Sequence, residues 1–237
     1  MISLYERALA LDPQSTEAQS RLAGALVCRV LDLMTGSAAA DLARADGLVG
    51  QALAASPRSA YAHLVKGSVL RAQNRWTEAI PEYEAALASN RNWVSALAGL
   101  GWCKLLDGSI EEVIPLAEQA IRLSPRGPDI GWRFSAIGTV HLLQSRTDAA
   151  IVWLEQARNA IPASSIFRSR LASAYALSGA IERAAAELAE SQRLNGGDLF
   201  SSISHLKASR SWGIPKTRAL FEATYFAGLR KAGMPEE

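Results

Sequence analysis

The stretch AYAHLVKGSVLRAQNRWTEAIPEYEAALASNRNW, residues 60–93, decides the fold of this chain. Its apolar residues recur at the three- and four-residue spacing of amphipathic helices. Asn74-Arg75 is a short polar turn between the two helical runs. The pattern therefore predicts a first helix from about Ala60 to Gln73 and a second from about Trp76 to Ser89.

Small residues return at a spacing of 34 residues, as Gly67 and Gly101 do in the first helices and Ala86 and Ala120 in the second. A glycine in mid-helix costs about 1 kcal/mol relative to alanine. We explain its recurrence by close helix packing, with Tyr83 filling the remaining space. Such a period is typical of a solenoid, in which each repeat buries its apolar face against its neighbours. The same step relates Gly138 to Ala172 and Ala157 to Ser191, and two steps relate Pro57 to Pro125.

These positions resemble the tetratricopeptide repeat, which has small residues at positions 8, 20 and 27 and proline near position 32. The resemblance implies an all-α fold, a right-handed superhelix (an α-solenoid) of antiparallel helix pairs. Residues 1–15 are predicted to be the second helix of a truncated repeat, and residues 199–237 to be C-terminal capping helices. Five full repeats lie between them, at 16–59, 60–93, 94–130, 131–164 and 165–198.

Two repeats depart from the common length. Repeat 16–59 has ten extra residues, which we place around Leu33–Asp41, where Thr35, Gly36 and Ser37 break the helical pattern. Repeat 94–130 has three extra residues near Pro125–Asp129. In the same repeat, the spacing of Ser109 and Glu112 predicts a capping box at the start of the second helix.

The tail does not continue the repeat. Pro215 is well placed to begin a helix, and apolar residues then form one stripe along it. We interpret this helix as a cap over the open face of the last repeat, with docking to another domain as the alternative. The stripe contains Leu220, Phe221, Thr224, Tyr225, Gly228 and Leu229, and an earlier amphipathic turn contains Phe200, Ile203 and Leu206.

Composition argues against several classes of partner. The net charge of +2 and the absence of a basic run favour no nucleic-acid partner. No apolar run reaches the ~18 residues of a membrane span, and the tail helix has too few basic residues for a membrane surface. Cys28 and Cys103 match no metal or disulfide framework. Both are predicted to be buried free thiols, which suits a cytoplasmic protein.

Residues for catalysis, cofactors or metals are not predicted. His63, His141 and His205 are scattered, and His141 falls on a packing position of its helix. Gly99-Leu100-Gly101 looks like part of a phosphate loop but lies inside a predicted helix. The chain is therefore expected to be no enzyme, with an enzyme or small-molecule binder around Trp102, Trp132 and His141 as the alternative.

The concave face of the superhelix is the predicted binding site. Its two tryptophans and one tyrosine are residue types that anchor interfaces, so we expect an extended peptide or an amphipathic helix of a partner protein there. Packing of Trp102 and Trp132 against neighbouring repeats or under the tail is the alternative. A carboxylate clamp for chaperone C-termini is not expected, because Ser, Ala and Leu occupy the clamp positions. The predicted face consists of Tyr61, Leu64, Arg71, Trp102, Leu105, Trp132, Ser135, Thr139, Leu142, Ile166 and Ser169, together with Ser68, Ser95, Ala98, Ser173 and Ala176.

A narrower resemblance rests on LYERALALDP (4–13), NRNWVSALAGLGWCKLLDGSIEE (90–112), IGTVHLLQSRTDAAIVWLEQAR (137–158) and RALFEATYFAGLRKAGMPEE (218–237). These stretches resemble the C-terminal repeat region of class III adenylate/guanylate cyclase-like proteins of rhizobia and related bacteria. The resemblance implies a regulatory module whose partner is the catalytic domain of its parent, and it carries over no catalytic residue. A start in mid-repeat fits a chain cut from a longer protein, and an uncapped N-terminal helix makes homo-oligomers a further possibility.

Overall fold

The computed structural model describes residues 1–31, 36–196, 198–209 and 212–237. In these ranges the chain is helical and contains no strand, which confirms the all-α prediction. The chain forms two compact blocks, Met1–Cys103 and Lys104–Glu237. No helix of the described ranges combines the length and the apolarity needed to cross a bilayer.

Helix hairpins build both blocks. In the first block α2 packs on α3 and α4 on α5, and in the second block α8 packs on α9 and α10 on α11. The bounds of α4 and α5 agree with the predicted helices to within one residue. The helices are α1 Ile2–Leu11, α2 Thr16–Leu31, α3 Ala38–Ala55, α4 Ala60–Ala72, α5 Trp76–Ser89, α6 Val94–Asp107, α7 Val113–Leu123, α8 Ile130–Leu143, α9 Thr147–Ala160, α10 Ser165–Leu177, α11 Ile181–Asn195, α12 Ile203–Ala208, α13 Pro215–Phe221 and α14 Ala227–Lys231, with 3₁₀ turns at Ile110–Glu112 and Asp198–Phe200 and a π-helical segment at Glu222–Phe226.

The same turn ends the first helix of four repeats. Asn74, Gly108, Ser145 and Gly179 stand 34 to 37 residues apart and have φ of +61°, +93°, +57° and +89°. The next N–H donates to a carbonyl five residues back over 2.9 Å in each case, which is the Schellman motif. The corresponding turn of repeat 16–59 lies outside the described residues. The donor and acceptor pairs are Arg75 with Leu70, Ser109 with Lys104, Arg146 with His141, and Ala180 with Tyr175.

Close helix packing accounts for Gly67, Gly99 and Gly138, whereas Gly47 and Gly50 in α3 have open space beside them. A Cβ atom on Gly67 would lie 3.1 Å from the Tyr83 ring, and one on Gly99 would lie 2.4 Å from it. A Cβ atom on Gly138 would lie 2.7 Å from Leu154. Real Cβ atoms essentially never approach as closely as 2.4 or 2.7 Å, and 3.1 Å is already a tight contact, so these three glycines let large side chains of the second helices fill the core.

The long repeat differs from its prediction in one respect. Helices α2 and α3 contain 16 and 18 residues, against 13 and 14 in α4 and α5, so part of the surplus extends the helices. Asp41, placed in the break by the sequence pattern, instead lies in the first turn of α3 and pairs with Arg29 over 2.6 Å. Leu33 and Thr35 lie outside the described residues.

Two local predictions were wrong. Ser109 makes no side-chain cap, and a 3₁₀ turn precedes α7, because Ser109 completes the Schellman turn that ends α6.

The second wrong prediction concerns the two cysteines. Cys103 is buried, but Cys28 is exposed. Cys28 falls outside the buried stripe of α2, which contains Leu22, Ala23, Leu26 and Val27.

The C-terminal segment contacts helices of the last two repeats. Residues Pro215–Lys231, which we call the tail helix, comprise α13, the π-helical segment and α14. The π-helical segment contacts α8 and α10, and α14 contacts α10. Before the tail helix, the chain contacts the second helix of the last repeat. There, Gln192 Nε2 of α11 donates to the carbonyl of Phe200 over 2.9 Å. The tail helix therefore lies on the first helices of two repeats.

Candidate functional site

In the first block the predicted face centres on Tyr61. Its ring stacks on Trp93, with ring centroids 6.0 Å apart, and the Arg21 guanidinium lies 4.1 Å from its centroid. Burial raises the pKa of Tyr61, and the charge of Arg21 opposes that shift. This grouping of aromatic rings and a cation is the kind that anchors a protein interface.

The other predicted residues of the first block are less exposed. Leu64 is buried and Trp102 is partly buried. Ser68 Oγ bonds to the carbonyl of Leu64 and lies 3.1 Å from the Tyr83 hydroxyl. Burial raises the pKa of Tyr83, and the charge of Arg71 opposes this. Arg71 and Ser68 therefore serve the core around Tyr83 as well as the predicted face.

In the second block the tail helix lies against the predicted face. Near its start, the Ile214 N–H donates to the carbonyl of Leu106 over 3.0 Å. Thr217 Oγ1 donates to the carbonyl of Leu105 over 3.4 Å. Gly213 has φ of +91°, and a Cβ there would lie 2.5 Å from the Leu106 oxygen, so this approach requires glycine.

The closest contact is made with α10. The hydroxyls of Tyr225 and Ser169 are 2.8 Å apart, and Ser173 Oγ donates to the carbonyl of Tyr225 over 2.9 Å. A Cβ on Gly228 would lie 2.2 Å from Ser173 Oγ and 2.5 Å from its carbonyl oxygen. Tyr225 belongs to the π-helical segment, a local widening that occurs often at functional sites.

Hydroxyl groups line the neighbouring part of the face. Arg170 Nη1 donates to Ser135 Oγ over 2.6 Å, and Thr139 Oγ1 donates to the carbonyl of Ser135 over 2.7 Å. Seven of the nine predicted residues of this block, namely Leu105, Ser135, Thr139, Leu142, Ser169, Ser173 and Ala176, are buried, and Ile166 is partly buried. Trp132 remains 40% exposed, with its ring edge against Phe167, 4.8 Å between centroids. We call this surface of α8, α10 and the end of α6 the second-block groove.

The tail helix also has contacts within the C-terminal segment. The Trp212 ring lies 4.9 to 5.6 Å from the rings of Phe221, Tyr225 and Phe226. Glu222 pairs with Lys207 and Arg230, both over 2.8 Å. Partial burial raises the pKa of Glu222, but the two cations outweigh it and the net shift is downward. The apolar stripe predicted part of this contact set, whereas no sequence signal singled out Trp212.

His63 has a structural role that recurs in a later repeat. Its ring nitrogens lie 2.6 Å from the Glu82 carboxylate and 2.9 Å from the carbonyl of Pro57. Arg168 makes the equivalent contacts with Glu187 over 2.8 Å and with the carbonyl of Pro162 over 3.1 Å. The sequence separations are the same, so both side chains tie the first helix of a repeat to its second helix and to the preceding turn.

A cleft of about 240 Å³ lies among α9, α10 and α11. Glu187 pairs there with Arg158 and Arg168, over 2.6 and 2.8 Å. Glu155 accepts from Tyr175 over 2.5 Å; burial and this bond raise the pKa of Tyr175 to about 12. Arg183 pairs with Glu155 over 2.8 Å, so three arginines meet two carboxylates and the cleft keeps a net positive charge.

The chemistry of the second-block groove suits binding. Its hydroxyls bond to backbone carbonyls, to Tyr225 and to Arg170, a pattern that holds a helix and activates no nucleophile. Among the described residues, no group of three His, Cys, Asp or Glu side chains has the geometry to hold a metal ion. The groove therefore offers hydrogen-bond partners and apolar surface to another polypeptide.

Comparison with known proteins places part of the chain in a repeat family. Residues 37–93 and 67–128 match the model of the tetratricopeptide repeat family. A comparison with curated proteins found no match. The matched stretch includes α3 to α7.

Solved structures of low sequence identity share the fold. TTC0263, a thermophilic tetratricopeptide repeat protein of Thermus thermophilus, superposes with a TM-score of 0.62 at 18% identity, covering 80% of this chain and 98% of that one. PilF of Pseudomonas aeruginosa gives 0.61 at 18% identity, covering 91% and 93%. YrrB, described as having an unusual peptide-binding site, gives 0.55 at 16% identity, covering 88% and 99%. At these identities the likeness concerns the fold alone.

Proposed function

We propose that this chain, which has the tetratricopeptide repeat fold, is a non-catalytic module that binds a helical segment of a partner protein on the inner face of its first helices. Tetratricopeptide repeats serve as scaffolds for protein–protein interaction, because stacked helix pairs present an extended surface. Beyond this general role, we propose where the site lies and that the bound segment is helical.

One observation supports the site more than any other. The second-block groove already holds a helix, the tail helix, through Ser169, Ser173 and the carbonyl of Leu105. A groove that pairs with one amphipathic helix has the width and the hydrogen-bond groups to pair with another. The exposed Trp132 ring at its edge adds an anchor of the type common at binding surfaces.

The proposal is tested by displaying a library of helical and extended peptides against the full chain and measuring affinities of the selected sequences. We expect helical binders whose affinity falls at least tenfold in Trp132→Ala, since truncating an interface tryptophan removes a hot-spot contact. Val152, which is 55% exposed on α9, provides the matched control, and Val152→Ala should leave the affinity unchanged.

Two outcomes would contradict the proposal. One is a library that yields no binder to the folded chain. The other is a set of binders that respond equally to Trp132→Ala and Val152→Ala, because their site would then lie away from the inner face. Circular dichroism of each variant confirms that the fold is retained.

We further propose that the module regulates a signalling domain of the adenylate/guanylate cyclase-like type in the cytoplasm. The support is the sequence resemblance of residues 4–13, 90–112, 137–158 and 218–237, and nothing in the fold adds to it. Reading the coding sequence upstream of Met1 tests this directly. A cyclase-like domain there is the expected result, and an unrelated domain would contradict it.

The absence of catalysis is a separate part of the proposal. The purified chain incubated with ATP or GTP and Mg²⁺ is expected to yield no cyclic nucleotide and no hydrolysis product. Product formation proportional to protein concentration would show that a catalytic site exists in this chain.

A further inference from the structure

We propose that residues 212–237 are a built-in occupant of the second-block groove, and that the groove's partner is a helix of the same pattern that must displace them. The pattern is an aromatic residue, a second aromatic four residues later and a glycine three residues after that, as in Phe221, Tyr225 and Gly228. This inference rests on the proposed function, because it names the partner class of the same groove.

The glycine position is the most selective part of the pattern. The helix backbone at Gly228 approaches Ser173 so closely that any Cβ would fall 2.2 Å from the Ser173 hydroxyl and 2.5 Å from its carbonyl. The obstacle includes backbone atoms, which cannot rotate away. A partner helix seated at this depth therefore also needs glycine here.

The aromatic positions set the register of the helix. Tyr225 is buried, and its hydroxyl meets Ser169 at 2.8 Å, one turn before Ser173 on α10. Phe221 is buried one turn earlier in the tail helix and contacts Trp212. Tyr225 and Gly228, three residues apart on the tail helix, therefore lie against Ser169 and Ser173, which are four residues apart on α10. Residues at these spacings share one face of a helix.

The polar contacts of the groove are of a kind that can be exchanged, and the tail helix also buries the apolar side chains of Phe221, Phe226 and Leu229. Ser169, Ser173 and the carbonyl of Leu105 supply hydrogen bonds, and such bonds contribute little net free energy because water can replace them.

The ion pairs of the tail helix are made within the C-terminal segment itself. Glu222 pairs with Lys207 and Arg230, and Arg230 with Glu236 over 2.7 Å. Residues 203 and 204 also donate their N–H groups to the carbonyls of Pro235 and Glu236. These contacts join residues 212–237 to α12 and do not bind them to α8 or α10, so α12 would move with the tail helix when it leaves the groove.

Occupancy by the chain's own helix lowers the apparent affinity for a partner. The apparent dissociation constant equals the intrinsic one divided by the fraction of molecules with an open groove. A substitution in the tail helix that weakens its docking should therefore tighten partner binding without any change in the groove.

The test uses the full chain and a fluorescently labelled synthetic peptide of residues 212–237, with binding followed by fluorescence anisotropy. Gly228→Leu in the protein should push the tail helix from Ser173 and tighten peptide binding at least tenfold relative to wild type. Gly47→Leu is the matched control, since a Cβ at Gly47 meets nothing within 4 Å, and it should bind like wild type. The peptide carrying Gly228→Leu should bind no variant.

A milder variant guards against misfolding. Tyr225→Phe keeps the ring and removes the hydroxyl that bonds to Ser169, so it should tighten peptide binding about fivefold, the factor that corresponds to the net worth of one hydrogen bond. Circular dichroism and sedimentation are recorded for every variant.

Equal binding of the peptide by wild type, Gly228→Leu and Tyr225→Phe would overturn the inference and leave the proposed function standing. No binding by any of them would overturn the inference as well, and the peptide-library experiment would then decide the proposed function. A Gly228→Leu chain that sediments as a dimer with exchanged tails would show that a second copy, and no separate partner, is the occupant.

Discussion

In the four repeats whose turn is described, one residue just after the first helix adopts a left-handed backbone conformation whatever its side chain is. Glycine occupies this position at Gly108 and Gly179, but Asn74 and Ser145 occupy it in two other repeats. An L-residue in that region costs about 1–2 kcal/mol, and asparagine tolerates it better than serine. Ser145 is therefore a site of local strain at an exposed turn.

Replacing Ser145 by glycine should relieve that strain. We expect Ser145→Gly to raise the free energy of unfolding by about 0.5–1 kcal/mol, because the gain in the folded state exceeds the added entropy of the unfolded chain. Urea unfolding measures it. Gly179→Ala, the reverse change at the equivalent position, should lower stability by a similar amount. A destabilising Ser145→Gly would contradict the assignment of strain.

His141 makes a second prediction at this scale. Burial and the nearby charge of Arg146 lower the pKa of His141 below its ordinary 6.5, and its Nδ1 accepts from Arg146 Nε over 2.8 Å. As pH falls below about 6.5, the unfolded chain binds a proton at this residue more readily than the folded chain. The stability contributed by neutral His141 is therefore lost between pH 6.5 and the lower folded pKa.

The pH dependence is measured by urea unfolding at pH 7.5 and 5.5 in wild type and in His141→Gln, whose amide can still accept from Arg146. Wild type should lose more stability between the two pH values than the variant does. Equal losses would show that other groups account for the change.

At the scale of elements, the small residues of the second helices set the spacing between helices. Ala120 on α7 is fully buried, in agreement with its repeat position. Ala120→Leu should cost about 1–3 kcal/mol, because an added side chain forces neighbouring helices apart. Thermal unfolding measures the cost. Ala54→Leu, at an exposed site on α3, should change little. An unshifted melting temperature for Ala120→Leu would mean that α7 is assigned the wrong register.

The helices of the repeats could be predicted from the sequence because two patterns in each repeat indicate the same packing. One is the spacing of the apolar residues, and the other is the position of the small residues. Gly67 with Tyr83 and Gly138 with Leu154 are contacts within one hairpin, so local pattern suffices to find them. Ser109 shows where prediction from local pattern fails. Its capping motif overlaps the turn that ends the preceding helix, and the turn forms while the side-chain cap does not.

The position of the tail helix could not be predicted in the same way. Its apolar stripe, including Phe221 and Tyr225, showed that one face would be buried, but an amphipathic helix fits the end of an array as well as its inner face. The deciding groups are Ser169 and Ser173 on α10, whose small side chains admit a close helix and supply hydrogen bonds. That is a contact between residues more than 50 positions apart, and no repeat pattern records it.

At the scale of the whole chain, one repeat geometry recurs in both blocks, as the turns at Asn74 and Ser145 show. The second block adds a helix on its first helices, and seven of its nine predicted binding residues are buried in this conformation. The account therefore depends on the tail helix being docked in the groove of the native chain and on its being separable from it.

Hydrogen exchange of the full chain, read by mass spectrometry, tests this most directly. A helix interrupted by a π-helical segment and a glycine has little stability alone in water, so slow exchange at Pro215–Lys231 reports docking. We predict protection of this segment in wild type, and its loss in Gly228→Leu while α8 and α9 stay protected. Unprotected exchange of the segment in wild type would contradict the account.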